Sequence, residues 1–173
     1  MPPLRADQIR RIQTLQRRLI DHDLTKYNLH RAYNLQQKTS CILVPVQVAD
    51  DASVLCGGGP KGDNLSLLKR VRNANQNAFI LFKQHPNVES NLRLGALHKK
   101  TILRFADNCL ENCGAAQALR SCDAVHTGTS LMGFEALLRG ISVTTYGQPF
   151  YACLLYTSPS PRDRTRSRMP SSA

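Results

Sequence analysis

The stretch that most constrains the fold is residues 123–147, where the pattern changes from strand to turn to helix and back to strand. A short apolar run is followed by four small residues, 127–130, three of which bear hydroxyl groups. Apolar residues at helical spacing come next, and Ser130 and Gly140 stand where that helix would begin and end. β-Branched and aromatic residues over 143–146 then predict a second strand.

The turn before this helix has the composition of an anion-binding site. A strand that runs into an exposed helix N-terminus brings free N–H groups and the positive end of the helix dipole to one point. Thr129 and Ser130 would add two hydroxyl donors there. An ordinary turn that caps a helix and binds nothing accounts for the same residues. Taken alone, this stretch leaves both interpretations open.

Two further apolar runs predict buried strands of the same sheet. Residues 41–48 are continuously apolar, as is typical of a strand covered on both faces, and Pro45 marks a bulge or the strand's end. Residues 78–83 form the second run, after a helix predicted over 64–74 with Asn64 as its N-cap. The alternating order predicts an α/β fold with a doubly wound parallel sheet. The other predicted elements are helices over residues 4–20 and 114–120, a loop over 47–59 and a short strand within 103–109.

Polar residues follow the predicted strands at one edge of that sheet. Asp50 and Asp51 come after the first run, His85 directly follows the second, and Thr129 and Ser130 follow a third. The carboxyl ends of parallel strands meet at the same edge, where α/β proteins bind ligands. Carboxylates there can act as nucleophile or base, and a histidine can contact a phosphate or transfer a proton. Loop closure by aspartate and simple exposure of the histidine are the plain alternatives, but the shared edge favours a site.

Composition excludes several classes of protein. The chain has 173 residues, 42% of them hydrophobic, which suits a globular domain with its own core. It has no apolar run long enough to span a membrane and no signal-peptide pattern, so we expect a cytoplasmic location. Six cysteines occur without a CxxC pair, and the nearest, Cys109 and Cys113, fall on a predicted helix, so we expect no metal site. The net charge of +11 suits a polyanion, but the few aromatic residues predict no nucleic-acid partner.

The ends of the chain differ from its middle. Residues 1–37 predict a helical segment with an apolar stripe and an arginine-rich opposite face, and residues 38–153 carry the α/β pattern. Residues 154–173 are rich in Ser, Pro and Arg, so we expect a disordered tail. Its composition resembles a translated sequencing adaptor, and we interpret it as non-native. We therefore expect an internal fragment of a longer protein.

Three blocks, residues 43–53, 64–88 and 123–152, together resemble bacterial capsule polysaccharide biosynthesis and export proteins, above all the type that transfers β-linked Kdo (3-deoxy-D-manno-octulosonic acid). The resemblance implies an incomplete, Rossmann-like half of a GT-B glycosyltransferase. Such an enzyme moves Kdo from CMP-Kdo to a lipid-linked saccharide acceptor with retention, without a metal or other cofactor. It implies capsule assembly and export proteins as partners, with peripheral contact at the inner membrane, and an inactive fragment. A noncatalytic export or scaffold component of the same fold is the alternative.

The resemblance also implies roles for individual residues. Family members carry a Gln-x-x-x-Asp motif, matched by Gln47 and Asp51, and a His-Pro motif, matched from His85. Asp51 would be the catalytic carboxylate, with Asp50 as the competing assignment, and His85 would stabilise the leaving phosphate. Glu135 would bind the ribose hydroxyls of CMP or be a solvent-facing helix acid. The implied substrate-binding residues are Gln47, Lys83, Thr127, Thr129, Ser130, Gly133 and Glu135.

Overall fold

The structure, a computed structural model, describes residues 4–26, 40–58, 63–85 and 97–152. Helices and strands alternate along these ranges, as the sequence predicts. The predicted tail, residues 154–173, lies outside the described residues, as does the larger part of the connection from the N-terminal helix to the first strand. The elements are α1 (Ala6–Asp21), β1 (Cys41–Pro45), α2 (Ala52–Gly57), α3 (Asn64–Ala74), β2 (Phe79–Lys83), α4 (Lys99–Ile102), β3 (Asn108–Leu110), α5 (Ala115–Arg120), β4 (Ala124–Thr127), α6 (Leu131–Leu138) and β5 (Ser142–Thr145).

The five described strands form one parallel sheet in the order β3-β2-β1-β4-β5. The chain moves outward from the central β1 through β2 to β3, and then crosses back to β4 and continues to β5. The direction of winding therefore reverses between β1 and β4. In parallel α/β sheets this switch point opens a crevice at the carboxyl ends of the strands. The predicted α/β fold with a doubly wound parallel sheet is confirmed.

The sheet is buried on both faces, which explains why its strands are continuously apolar. On one face Val44 and Phe82 pack with the inner side of α3, and both are fully buried. On the other face Leu43, Leu81 and Val125 form a second fully buried cluster, with residues of α5 and α6. Each such side chain contributes about 1.5–3 kcal/mol through burial. The central strand is thereby fixed, and with it the edge where the polar residues lie.

The connection after β1 differs from the predicted strand and loop. The strand ends at Pro45, rather than continuing to residue 48, because proline has no N–H to donate to the ladder. Within the segment predicted as loop, α2 forms over six residues. Asp51 caps it, since its Oδ1 accepts a hydrogen bond from Ser53 N at 2.9 Å. A helix this short shows no apolar periodicity that would reveal it in the sequence.

Two further details correct the sequence predictions. The N-cap of α3 is Asp63, whose Oδ1 accepts from Ser66 N at 2.8 Å, and Asn64 is already the first helical residue. Within residues 103–109 only the last two positions belong to β3, so Cys109 lies on a strand and not on a helix with Cys113. β3 has three residues and forms one edge of the sheet beside β2.

Helix α1 forms as predicted, but none of its residues is buried. The stripe that would normally face a core is open, since Ile9, Ile12 and Leu15 are 41%, 52% and 58% exposed. The C-terminal half of the helix is attached to α6, where Gln16 Nε2 donates to Leu138 O at 2.6 Å. Among the described residues, no helix is long and apolar enough to cross a membrane.

Candidate functional site

A cavity of about 300 Å³ opens at the switch point, beyond the ends of β1 and β2 and beside the start of α6. Seven of the ten residues that the sequence analysis assigned to a site line it, although they are spread over residues 47–135. Asp50, Thr127 and Gly133 do not belong to its lining. The lining residues from the predicted set are Gln47, Asp51, Lys83, His85, Thr129, Ser130 and Glu135.

The N-terminus of α6 faces the cavity with the properties of an anion site. Ser130 is its N-cap, as predicted, and Ser130 Oγ accepts from Met132 N at 3.3 Å. A hydroxyl that accepts one bond keeps a hydrogen to donate, so Ser130 can also serve a ligand. Leu131 and Met132 line the cavity as well, which brings the first turn of the helix and its positive dipole end to the site.

Gln47 and Thr129 contact each other across the switch point. Gln47 Oε1 accepts from Thr129 N and, at 2.8 Å, from Thr129 Oγ1. Gly128 permits this approach, because a Cβ there would lie 2.6 Å from Gln47 Nε2. Both side chains are buried, with exposures of 5% and 3%. Their polar atoms thus join the end of β1 to the turn after β4, within the wall of the cavity.

Asp51 is held at the opening of α2 on the same cavity. Its Oδ1 accepts from Ser53 N at 2.9 Å and from Ser53 Oγ at 2.6 Å, which fixes the orientation of the carboxylate. His85 is half-buried and lines the same cavity from the end of β2. Asp50 is exposed and lies outside the lining. The structure therefore brings Asp51, and not its neighbour, together with His85 and Ser130.

Two buried charged residues also line the cavity. Lys83 is 4% exposed, and its Nζ donates to Gln84 O at 3.1 Å. Glu135 is 8% exposed, and its Oε1 accepts from Lys26 N at 2.8 Å. Desolvation raises the pKa of Glu135, opposed by that hydrogen bond and by the charges of Arg139, Lys26 and Lys83. The interpretation of Glu135 as a solvent-facing helix acid is therefore wrong.

Thr127 and Gly133 lie behind the wall of the cavity. Thr127 is fully buried, and its Oγ1 accepts from Ser130 N at 3.2 Å. Gly133 faces Tyr151, whose hydroxyl donates to Ser130 O at 2.6 Å, and a Cβ at Gly133 would overlap that hydroxyl. Both residues shape the turn that carries Ser130.

Sequence reasoning missed several polar residues at this site, among them Lys26 and Ser53, which line the cavity. Asn64 forms two hydrogen bonds with the backbone of Gln47, a role that its position at a helix start does not reveal. Gln84 lines the cavity, and its Oε1 is buried without a donor among the described residues. Over the same described ranges, no group of three or more His, Cys, Asp and Glu side chains comes together as a metal site.

A doubly wound parallel α/β domain, with a polar cavity and a helix N-terminus at its switch point, defines the structural class of this chain. Its sequence matches the model of a family described as "Capsule polysaccharide biosynthesis protein" over residues 4–168. The chain therefore belongs to the capsule polysaccharide biosynthesis protein family, as the resemblance implied. The match reaches into residues 154–168, so the non-native origin of the tail stays a prediction.

Curated relatives and solved structures agree with this assignment. The chain is 44% identical to the capsule polysaccharide modification protein LipA of Neisseria meningitidis serogroup B over 140 residues, which are 80% of this chain and 20% of LipA. It is 32% identical over 155 residues to the lipopolysaccharide-processing protein LpsZ of Rhizobium meliloti, covering 86% of this chain and 34% of LpsZ. The chain thus spans a fifth to a third of these relatives.

Two solved structures share the fold. Both are from Thermosulfurimonas dismutans KpsC. The chain matches the beta Kdo 2,7 transferase with a TM-score of 0.71 and 34% identity, covering 86% of this chain and 45% of that one. It matches the beta Kdo 2,4 transferase with a TM-score of 0.72 and 25% identity, covering 87% of this chain and 48% of that one. The structural neighbours are therefore glycosyltransferases that handle Kdo.

Proposed function

We propose that this chain is the donor-binding part of a retaining glycosyltransferase that moves Kdo from CMP-Kdo to a lipid-linked saccharide during capsule assembly. The observation that carries the proposal is the convergence of Asp51, His85 and Ser130 on one cavity at the switch point. The neighbouring Kdo transferases support the choice of sugar. Capsule assembly and export proteins are the partners that this function requires, and the acceptor's lipid brings the enzyme to the inner surface of the membrane.

The donor phosphate is proposed to bind at the N-terminus of α6. Ser130 and the first-turn N–H groups donate to it, and the helix dipole favours its charge. The Lys83 ammonium lies on the same cavity and attracts the same anion. Glu135, buried deeper along α6, can accept hydrogen bonds from the ribose hydroxyls of CMP. These groups place the bond between phosphate and sugar towards Asp51 and His85.

Transfer with retention follows from two successive substitutions at the anomeric carbon. The Asp51 carboxylate attacks that carbon, the bond to the phosphate oxygen breaks, and CMP leaves with the electron pair. Hydrogen bonding from His85 stabilises the charge that develops on the phosphate. The acceptor hydroxyl then attacks the same carbon, loses its proton to solvent or a base, and releases Asp51. Each substitution inverts the configuration, so together they retain it, and neither needs a metal ion or another cofactor.

Titration calorimetry with CMP tests the binding half of the proposal. Wild type should bind CMP, and Ser130→Ala and His85→Ala should each weaken binding about tenfold, because each removes a charge-assisted hydrogen bond. Ser121→Ala is the matched control, since Ser121 caps the far end of α5, outside the lining. Equal affinity in wild type and both site variants would contradict the proposed phosphate site.

The catalytic half is tested by exchanging this chain for the matching segment of the beta Kdo 2,7 transferase and supplying CMP-Kdo with a Kdo-primed glycolipid. Asp51→Asn keeps a good N-cap for α2 but removes the nucleophile, so it should fold and lose transfer by at least about a thousandfold. Asp50→Asn is the control and should retain transfer. Transfer that persists in Asp51→Asn and disappears in Asp50→Asn would reverse the assignment, and no transfer in the unmutated chimera would favour a noncatalytic role.

A further inference from the structure

The polar groups that hold the cavity wall form a continuous chain from α3 to the turn after β4. Asn64 Oδ1 accepts from Gln47 N at 2.9 Å, and Asn64 Nδ2 donates to Gln47 O at 2.8 Å. The Gln47 side chain in turn accepts both hydrogen bonds of Thr129 described above. Asn64 is 7% exposed, so these bonds are shielded from water and from exchange with it.

We infer that Asn64 and Gln47 are positioning residues, which set the turn of Thr129 and Ser130 against the end of β1. Asn64 forms hydrogen bonds with both the N–H and the C=O of Gln47. These bonds fix the backbone of Gln47 and therefore the direction of the Gln47 carboxamide. That carboxamide holds Thr129 N, the amide immediately before Ser130. Gln47 Oε1 and the N–H and hydroxyl of Thr129 are thus engaged with each other inside the wall, whereas the Ser130 hydroxyl keeps a hydrogen to donate to a ligand.

The pairing of the strands explains why this chain of hydrogen bonds through Asn64, Gln47 and Thr129, here called the clamp, is needed. β1 and β4 pair through only two positions, Ile42 with Ala124 and Leu43 with Val125, and the ladder does not reach the cavity. Beyond it the two strand ends would be free to separate. The Gln47 side chain spans this gap and replaces the missing ladder bonds. A small displacement of a ligand-binding group strongly weakens its contribution to binding. A fixed distance between the end of β1 and the turn after β4 therefore supports ligand affinity.

Amide hydrogen exchange tests the clamp without any ligand. Asn64→Ala should speed exchange at Thr129 N–H at least about tenfold, although Asn64 does not contact Thr129, because the Gln47 carboxamide loses its fixed direction. Asn75→Ala is the matched control, since Asn75 Nδ2 donates to Val71 O at 2.9 Å at the other end of α3. It should lower Tm and leave Thr129 exchange unchanged. Equal exchange at Thr129 in wild type and Asn64→Ala would overturn the inference.

The consequence for binding rests on the proposed function and is measured with CMP. Asn64→Ala and Gln47→Met should each weaken CMP binding about tenfold, and the double variant should be no weaker than Gln47→Met alone, because both act through one link. Additive losses in the double variant would contradict a single link. Absence of CMP binding in wild type would refute the proposed function. The hydrogen-exchange experiment at Thr129 would still test the positioning role of Asn64 and Gln47.

Discussion

Gly133 offers a test in which two physical effects oppose each other. Alanine in the middle of an exposed helix is favoured over glycine by about 1 kcal/mol. At Gly133, however, an added Cβ would overlap the Tyr151 hydroxyl and lie 2.9 Å from Tyr151 Cζ and 3.1 Å from Thr127 Cγ2. Tyr151 is fully buried, so its ring has no free space into which to move. Gly133→Ala should therefore destabilise the protein in spite of its helix propensity.

The magnitude follows from the contacts. Overpacking in a closed core costs about 1–3 kcal/mol. Displacing the Tyr151 hydroxyl also breaks its 2.6 Å hydrogen bond to Ser130 O, which adds about 1–3 kcal/mol when the carbonyl is left unpaired. After subtracting the gain in propensity, Gly133→Ala should lower the free energy of unfolding by about 3 kcal/mol. For a domain of this size that corresponds to a fall in Tm of about 10 °C.

Thermal unfolding followed by circular dichroism measures this change, and two further variants identify its cause. Gly140→Ala has open space around its Cβ and a φ of 71°, so it should cost only about 1 kcal/mol through backbone strain. Tyr151→Phe added to Gly133→Ala should recover part of the loss, because the overlapping hydroxyl is gone. A Tm for Gly133→Ala at or above that of wild type would refute the packing described for Tyr151.

Three further predictions concern polar groups that are buried or partly buried. Burial lowers the pKa of His126 from 6.5 to about 4, so the unfolded chain binds more protons between these values. The free energy of unfolding should thus fall as pH is lowered from 6.5 to 4, and less so in His126→Gln, as urea titrations at each pH would show. Arg72 donates to Phe105 O and pairs with Asp107, so Arg72→Lys should destabilise by about 2 kcal/mol in urea unfolding. Gln84→Met removes a buried oxygen that has no donor among the described residues, so it should raise Tm by about 3 °C, whereas an unchanged or lower Tm would show that the oxygen is paired.

The fold could be predicted because its strongest signals are local. Continuous apolar runs identified β1 and β2, and the change of period after residue 127 identified β4, α6 and β5. Their alternation with helices left the parallel doubly wound sheet as the simplest arrangement. The predictions that failed concern short elements. α2 has too few residues to show periodicity, and the bounds of β3 depend on its pairing with β2.

The candidate site could be predicted as a group because strand ends converge, but the partners within the group could not. Three polar residues lie at or near strand and helix ends: Gln47, Lys83 and Glu135. The sequence does not indicate which of them binds a ligand and which forms a hydrogen bond with a neighbouring residue. Glu135 shows the limit most clearly, since its carboxylate accepts a hydrogen bond from Lys26 N, more than a hundred positions earlier in the chain. Only the folded backbone decides which polar atoms remain for a substrate.

Asp63 and Asn64 show the same limit at the start of α3. Asp63 and Asn64 are adjacent, and both are strong N-cap residues, but a helix has one N-cap. When Asp63 takes that position, the amide of Asn64 at the first helical position is left with donor and acceptor groups to satisfy. That buried amide is satisfied by the backbone of Gln47, since Asn64 Oδ1 accepts from Gln47 N at 2.9 Å and Asn64 Nδ2 donates to Gln47 O at 2.8 Å. Gln47 lies beyond the last paired position of β1, Pro45, so its backbone groups bond to Asn64 rather than to a neighbouring strand.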